Sequence, residues 1–321
     1  MEFIDAEMVR SRLPIAGCID AMATAMTLVS KGELAMPPRL IMPLVDNSGY
    51  FGLMPSSLVE PRIYGAKIVS LHPANPAAGR AAIQGFVALF DHDSGTPFAI
   101  VDGGAITALR TGAASGLATR TLARPDANTL GLFGCGVQAT AHLEAVCAVR
   151  DIAEVRIWGR SMSKAEAFAE THADRTAARI VPVDDPRVVA ACDILCTTTG
   201  SHEPVLLGDW VGPGTHVNLV GAHAPTTREA DTRLIAEGRI YVDSLASAFV
   251  EAGEILIPID EGAIDRSHVV GELGAVLMRQ IPGRQSDDEI TIYKSLGIVA
   301  QDIIAAHAVY LNTAASESLS D

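Results

Sequence analysis

No uncharged apolar run in this chain is long enough to cross a bilayer, which argues against a helical membrane span. The N-terminus, MEFIDAEMVR, is acidic and lacks the pattern of a secretory leader. Positive charge is in short supply: 24 Lys and Arg stand against 38 Asp and Glu, a formal net charge of −14. That balance argues against non-specific nucleic-acid binding and against docking on an anionic membrane. It leaves room for a small anion held in a local cationic pocket. Cysteine is sparse, odd in number and scattered (Cys18, Cys135, Cys147, Cys192, Cys196), with no C-x-x-C pair. Such usage points to reduced, mostly buried thiols in a cytoplasmic protein. Cys192 and Cys196 are four apart but lack further close ligands, so no metal site is expected. Internal repeats are absent, and the polar tail AASESLSD is the one biased stretch.

What is present suits a soluble globular protein, with 49% hydrophobic and 19% charged residues over a length of 321, enough for two domains. Residues 1–30 read as helical from their apolar spacing, with Gly32 near the end. RLIMPLV, YFGLMP, YGAKIVSLHP, AAIQGFVALFD and PFAIVDG are short apolar segments separated by turn signals, and FDHDSGTPF reads as a hairpin connection. This half is expected to form a mainly antiparallel sheet or open barrel. ITALRTGAASGLATRTLA, residues 106–123, reads as a helix of small residues, and RPDAN marks a boundary.

From Thr129 the rhythm becomes strand–helix–strand. TLGLFG, EVRIWG, RIVPV, DILCTTT, HVNLVG and IYVDS read as strands, with helices VQATAHLEAVCAV, SKAEAFAETH and DPRVVAAC between the first of them. Ser163 and Glu166 have capping-box spacing, and Asp185 and Pro186 suit N-cap and N1. Alternating apolar strands and helices imply a parallel sheet covered on both faces. The expected fold class is α/β, a Rossmann-type parallel-sheet domain over 125–294 beside an α+β domain over 1–124, to which a C-terminal helix, 295–321, returns.

LGLFGCGVQATAHL places G-x-G-x-x-A, Gly134, Gly136 and Ala139, between a strand and a helix. Gly134 permits the tight turn, Gly136 lets backbone approach a pyrophosphate, and Ala139 allows close helix–strand packing. The helix start at Val137 and Gln138 then turns free N–H groups toward the phosphates. A methyl-donor nucleotide fold with a similar loop, or a purely structural turn, are the competing readings. An acid is expected at the end of the next strand if NAD is preferred, to bind the ribose 2′-hydroxyl. VRIWGRSMSK instead ends on Gly159, Arg160 and Ser161. A guanidinium and a hydroxyl suit a 2′-phosphate, so NADPH is the expected cofactor, with NADH as a weaker alternative.

Arg39 after MPP, Lys67 in YGAKIVSLHP and Arg110 opening RTGAASG stand out as cations in apolar or small-residue surroundings. Each taken singly also fits an ordinary surface cation. The chain resembles the ornithine cyclodeaminase/mu-crystallin family over nearly its full length. The motifs that carry the likeness are PPRL, GAKIVSLHPAN, DHDSGTP, ALRTGAASGLATRTLARP, LGLFGCGVQA, VNLVGAHAPTTREAD, YVDS, GELGAVL and YKSLGIVAQD. The resemblance implies a Rossmann domain beside a substrate and dimerisation domain, hence a homodimer. It also implies that Arg39, Lys67 and Arg110 hold an amino- or imino-acid carboxylate. Thr111, Thr198 and Ser295 resemble family positions at the cofactor. His72 and Asn75 read as loop-shaping residues, and His142 as solvated or satisfied.

Departures from the family pattern narrow the expectation. Gly52 stands where ornithine cyclodeaminases carry a Glu for a terminal amine, and His223 stands where they carry a catalytic Asp. With the missing acid at Gly159–Arg160, these point away from ornithine cyclodeamination, and the second points away from the family's archaeal alanine dehydrogenases. They resemble the ketimine reductase branch, which reduces Δ1-pyrroline-2-carboxylate and Δ1-piperideine-2-carboxylate to L-proline and L-pipecolate. Lys67 and His223 are the candidates for handling the proton. Ornithine cyclodeaminase, an alanine dehydrogenase-like enzyme and a non-catalytic NADPH-binding protein remain open as alternatives here.

Overall fold

The computed structural model describes residues 1–317; the end of the polar tail lies outside the described residues. In chain order the elements begin with β1 (Glu2–Ile4), α1 (Ala6–Arg12), α2 (Ile15–Lys31), β2 (Leu34–Ala35), β3 (Leu40–Pro43), β4 (Tyr50–Leu58), β5 (Ile63–Leu71), β6 (Ile83–Asp91), β7 (Pro97–Asp102) and α3 (Gly103–Leu122). They continue with β8 (Thr129–Phe133), α4 (Val137–Cys147), β9 (Glu154–Trp158), α5 (Met162–His172), β10 (Arg179–Pro182), α6 (Pro186–Ala190), β11 (Ile194–Thr197) and β12 (His216–Leu219). The last are α7 (Thr232–Glu237), β13 (Arg239–Val242), α8 (Leu245–Glu251), α9 (Gly253–Asp260), β14 (Val269–Glu272), α10 (Leu273–Leu277), β15 (Thr291–Lys294) and α11 (Val299–Glu317). The chain divides into two compact units, Met1–Arg110 with Ile298–Asp321, and Thr111–Gly297. The first junction falls inside α3, because nothing in ALRTGAASG breaks a helical backbone; the expected boundary at 124 follows the end of that helix.

The first unit holds a seven-stranded sheet in the order β1-β7-β6-β5-β4-β2, with β3 also paired to β4. All its pairings are antiparallel except β1 with β7. Residues 1–30 are not one helix, contrary to expectation. Pro14 separates α1 from α2, since its ring and missing N–H do not suit a helix interior. Glu2–Ile4 instead pair with Ala99–Val101. Side chains alternate across the sheet. One face, with Met54, Leu58, Ile63, Val87, Leu89, Ala99 and Val101, is buried. α11 covers that face against β4, β5 and β6, and α2 packs on α11. On the other face the register runs Leu40–Leu53–Ile68–Phe86 across four strands, an apolar row. Leu40 is 55% and Phe86 38% exposed.

The second unit is a parallel sheet of eight strands in the order β10-β9-β8-β11-β12-β15-β13-β14. Strand order reverses at β8/β11, the switch point at which such sheets bind ligands. Two hydrophobic clusters flank the sheet. Leu130, Leu132, Ile194 and Cys196 pack with Leu143, Val146 and Phe168. Phe133, Leu195, Val217 and Leu219 pack with Leu234, Ile255 and Ile292. The alternation of Ile194, Leu195 and Cys196 between clusters is the strand period. β14 and β15 escape the sequence pattern because neither is a continuous apolar run: β14 ends on Gly271 and Glu272, and β15 carries the charge of Lys294. α5 begins one residue before the expected capping-box Ser163: Ser161 is its N-cap, and the two Ser Oγ atoms lie 2.7 Å apart. Asp185 caps α6 as expected, accepting from the Arg187 N–H, with Pro186 next.

Candidate active site

Lys67 falls on the buried face of β5, with Met54 and Val87 as its cross-strand partners. It is 4% exposed. An unpaired ammonium in this layer would cost several kcal/mol, on the order of 3–5. α11 supplies the partner. Asp302 Oδ1 accepts from Lys67 Nζ at 2.8 Å and from Arg110 Nε at 3.1 Å. Arg110 Nη1 also donates to Gln301 Oε1 at 2.9 Å. Arg39, half-buried ahead of β3, is close enough for its charge to act on Lys67. The structure thus brings Lys67 and Arg110 onto a single acid, with the charge of Arg39 acting on Lys67. Burial pushes the Lys67 ammonium down to about 8, with Asp302 opposing the fall and Arg110 adding to it. Burial alone would raise the Asp302 carboxyl, but Arg110 and Lys67 outweigh it and hold the group below its usual range.

In the second unit, the cofactor candidates other than Thr111 follow the carboxyl ends of parallel strands. Gly134 and Gly136 come after β8, Arg160 and Ser161 after β9, Thr198 after β11 and Ser295 after β15. His223 follows β12 in the same way. Gly134 has φ +109, and a Cβ there would meet Thr198 O and Oγ1 at 2.9 Å. Gly136 is the N-cap of α4, makes no side-chain cap and has nothing within 4 Å of where a Cβ would stand. Val137 at the helix start is exposed, Gln138 is half-buried, and Ala139 is fully buried against the sheet. An open space before uncapped backbone donors at a helix start fits a pyrophosphate. Arg160 is exposed. Gly159 beside it is demanded by packing, since a Cβ would meet Cys135 Sγ at 2.7 Å.

The remaining candidates are held by the fold. The Thr198 N–H and hydroxyl donate to Phe133 O at 2.8 and 3.0 Å. Thr111 and Ser295 are buried, and the Ser295 N–H donates to Leu219 O at 2.9 Å. His223 is exposed, with Nδ1 3.3 Å from Gly221 O. His142 is satisfied rather than solvated, bonded to Ser115 Oγ at 2.9 Å and Gln138 O at 2.7 Å. Asn75 is structural, donating from Nδ2 to Ala81 O.

The chain matches the sequence profile of the ornithine cyclodeaminase/mu-crystallin family over residues 2–317. It belongs to that family. An alanine dehydrogenase of Archaeoglobus fulgidus is 35% identical over 95% of this chain and 93% of its own. A Delta(1)-pyrroline-2-carboxylate reductase of Bacillus cereus is 35% identical over 97% of this chain and 96% of its own. Among solved structures, the Thermococcus litoralis Delta(1)-pyrroline-2-carboxylate reductase in complex with NADH and L-proline superposes with a TM-score of 0.95 at 33% identity, covering 99% of this chain and 98% of that one. An archaeal alanine dehydrogenase dimer with bound NAD gives 0.91 at 33% identity, covering 98% and 96%.

Several polar residues of this family member escape sequence reasoning. Asp302 and Gln301 end the motif YKSLGIVAQD, where an amide and an acid interrupt the otherwise apolar stretch LGIVAQDIIAA. Glu229 is fully buried and accepts from Thr197 Oγ1, the Thr199 N–H, Thr199 Oγ1 and the Gly221 N–H at 2.6–2.7 Å. It thereby ties together the loops after β11 and β12. Burial raises its carboxyl, partly offset by the Thr199 and Thr197 hydroxyls. Buried Lys294 pairs with Glu254 at 3.2 Å and donates to Ala222 O at 2.6 Å, next to His223.

Proposed function

We propose that the protein reduces cyclic imino acids, Δ1-pyrroline-2-carboxylate and Δ1-piperideine-2-carboxylate, to L-proline and L-pipecolate with a nicotinamide cofactor. The observation that carries this reading is the cluster in which two buried cations, Lys67 and Arg110, share the one carboxylate of Asp302, with the charge of Arg39 acting on Lys67. Excess positive charge in a chain of net charge −14 calls for an anionic ligand. A guanidinium and an ammonium converging on one carboxylate fix a small substrate in place. On β4, Gly52 offers no acid for a distal amine. A Cβ at Gly52 would meet Val69 Cγ2 at 2.9 Å and Ile41 Cδ1 at 3.4 Å, so apolar side chains fill that space. An apolar ring suits it; a second ammonium does not.

When bound, the reduced nicotinamide supplies a hydride to C2 of the protonated C=N. Arg110 and Arg39 hold the carboxylate throughout. Lys67, with its ammonium pushed down to about 8, holds a proton that it can lend to the ring nitrogen near neutral pH. His223, exposed on the loop after β12, is the second candidate for that proton.

Three finer statements belong to the same proposal. NADPH is preferred over NADH, on the strength of exposed Arg160 where an acid would repel the 2′-phosphate. The protein is a homodimer; the exposed apolar row Leu40–Leu53–Ile68–Phe86 supports this, being the kind of face a self-association covers. It works in the cytoplasm, in keeping with five free cysteines. Steady-state assays of the two cyclic imino acids with each cofactor test the reading. Pyruvate with ammonia, and ornithine, serve as comparison arms. Turnover confined to pyruvate with ammonia would move the protein to the alanine dehydrogenases, and ammonia release from ornithine to the cyclodeaminases.

A further inference from the structure

Asp302 makes an uneven use of its two oxygens. Oδ1 takes both Lys67 Nζ and Arg110 Nε, at 2.8 and 3.1 Å. Oδ2 is buried with no hydrogen-bond partner. An orphaned buried acceptor costs about 1–3 kcal/mol, so an acid here needs a reason that packing does not supply. The adjoining residue sharpens the point. Gln301 Oε1 accepts from Arg110 Nη1 at 2.9 Å, doing geometrically what a second acid would do while adding no charge. One carboxylate is present and a second is replaced by its neutral counterpart. The cations therefore keep a positive excess.

We propose that Asp302 is a positioning residue, which through Oδ1 aims Lys67 and Arg110 together and keeps Lys67 an ammonium without neutralising the site. The charged groups facing Lys67 are Asp302 from α11, Arg110 from α3 and Arg39 from the segment before β3. Met54 on β4 and Val87 on β6, its register partners, carry none. Cys18 on α2 faces Arg110, its thiol pushed up to about 12 by burial and so neutral. Burial, Arg110 and Arg39 all drive the proton off Lys67, and Asp302 opposes them. Removing the negative charge must move the Lys67 titration to lower pH. A carboxylate within hydrogen-bond reach is worth about one to three pH units to its partner.

The inference rests on the reading of Lys67 as the substrate cation, and the test separates the two. Acetic anhydride labels lysines only as free amines, so the pH dependence of Lys67 acetylation, read by peptide mass spectrometry, gives its midpoint without any substrate. Wild type is expected to titrate near pH 8 and Asp302→Asn at least about one unit lower. An unmoved or raised midpoint overturns the proposal, as does a Lys67 that takes no label at any pH, since a sealed amine serves no ligand. If Asp302→Asn does not fold, Arg110→Gln carries the test: with a like charge gone and Asp302 left to Lys67 alone, the midpoint must rise, and a fall or no change counts against the proposal. The alkaline limb of kcat/KM for a cyclic imino acid should track the same midpoints. A labelling shift in a protein that reduces no imino acid keeps the role of Asp302 and sinks the proposed function. Turnover with an unmoved midpoint does the reverse.

Discussion

Lys67 and Asp302 are 235 residues apart in the chain and joined by a 2.8 Å hydrogen bond in the fold. The pair explains how a lysine persists in an apolar layer, and Arg110 makes it more than a pair. Lys67→Met keeps the length of the side chain and removes its charge. Arg110 still neutralises Asp302, so the fold should survive. Losing a charge-assisted contact of about 2–3 kcal/mol should lower kcat/KM for the cyclic imino acid roughly 30- to 200-fold or more, with cofactor affinity little changed. Activity within about threefold of wild type would remove Lys67 from the reaction.

The sequence made the two halves of this fold legible for different reasons. Alternating strands and helices announced the parallel sheet, and the Gly134–Gly136 turn announced its ligand edge, because both signals are local. Lys67 was legible as an anomaly, a charge among Ala66 and Ile68. Its partner was not, since nothing in a chain tells which distant acid will face a given lysine; Asp302 becomes visible only when α11 folds back over β5. The break at Pro14 was missed for a related reason. Apolar spacing continues through it, and only the pairing of Glu2–Ile4 with β7 shows that the first residues belong to a sheet.

Gly134 and Gly136 should answer differently to alanine. At Gly134 the left-handed φ and the 2.9 Å approach to Thr198 make any Cβ strained, so Gly134→Ala should cost about 1–3 kcal/mol of stability. At Gly136 a Cβ meets nothing and φ is −100, so Gly136→Ala should leave the melting temperature within about 1–2 °C. It should instead weaken cofactor binding about tenfold or more, because the methyl enters the space kept for phosphate. Calorimetric melting and fluorescence titration of the nicotinamide separate the two effects. A cofactor affinity untouched in Gly136→Ala would exclude this turn as the cradle.

Acid should act on the fold through His142. Burial pushes its imidazole down from 6.5 to about 4 in the folded state. Between those values the unfolded chain binds a proton that the folded one refuses. Stability present above pH 6.5 is therefore lost as pH falls toward 4, at up to about 1.4 kcal/mol per pH unit for one proton. His142→Gln removes that linkage. Urea unfolding free energies plotted against pH should have a shallower slope between 4 and 6.5 in the variant. Parallel plots would show that His142 already titrates normally in the folded protein.

The apolar row gives a test of assembly independent of catalysis. Leu53 lies between Leu40 and Ile68 on the outward face of the first sheet, half-buried in the single chain. Leu53→Lys should leave the isolated fold stable, since a long side chain there reaches water. In a dimer closed over this face it would bury a charge in each partner. Sedimentation velocity should then show wild type as a dimer and the variant as a monomer. A variant that sediments like wild type would move the interface elsewhere.

Arg160 offers the most direct test of cofactor choice. It follows Trp158 and Gly159 at the end of β9, exposed and with Ser161 beside it. NADPH and NADH differ only at the 2′-phosphate, so a guanidinium that contacts that group affects one cofactor and not the other. A charge-assisted bond to phosphate is worth about 1.5–3 kcal/mol, so Arg160→Ala should raise the KM for NADPH by roughly 10- to 150-fold. The KM for NADH should change by less than about threefold. Reversing the charge goes further: Arg160→Asp restores the acid that binds a ribose 2′-hydroxyl and repels a 2′-phosphate, so it should turn the preference toward NADH. Equal effects on the two cofactors in both variants would take Arg160 out of the 2′-phosphate site and leave it a solvated turn residue.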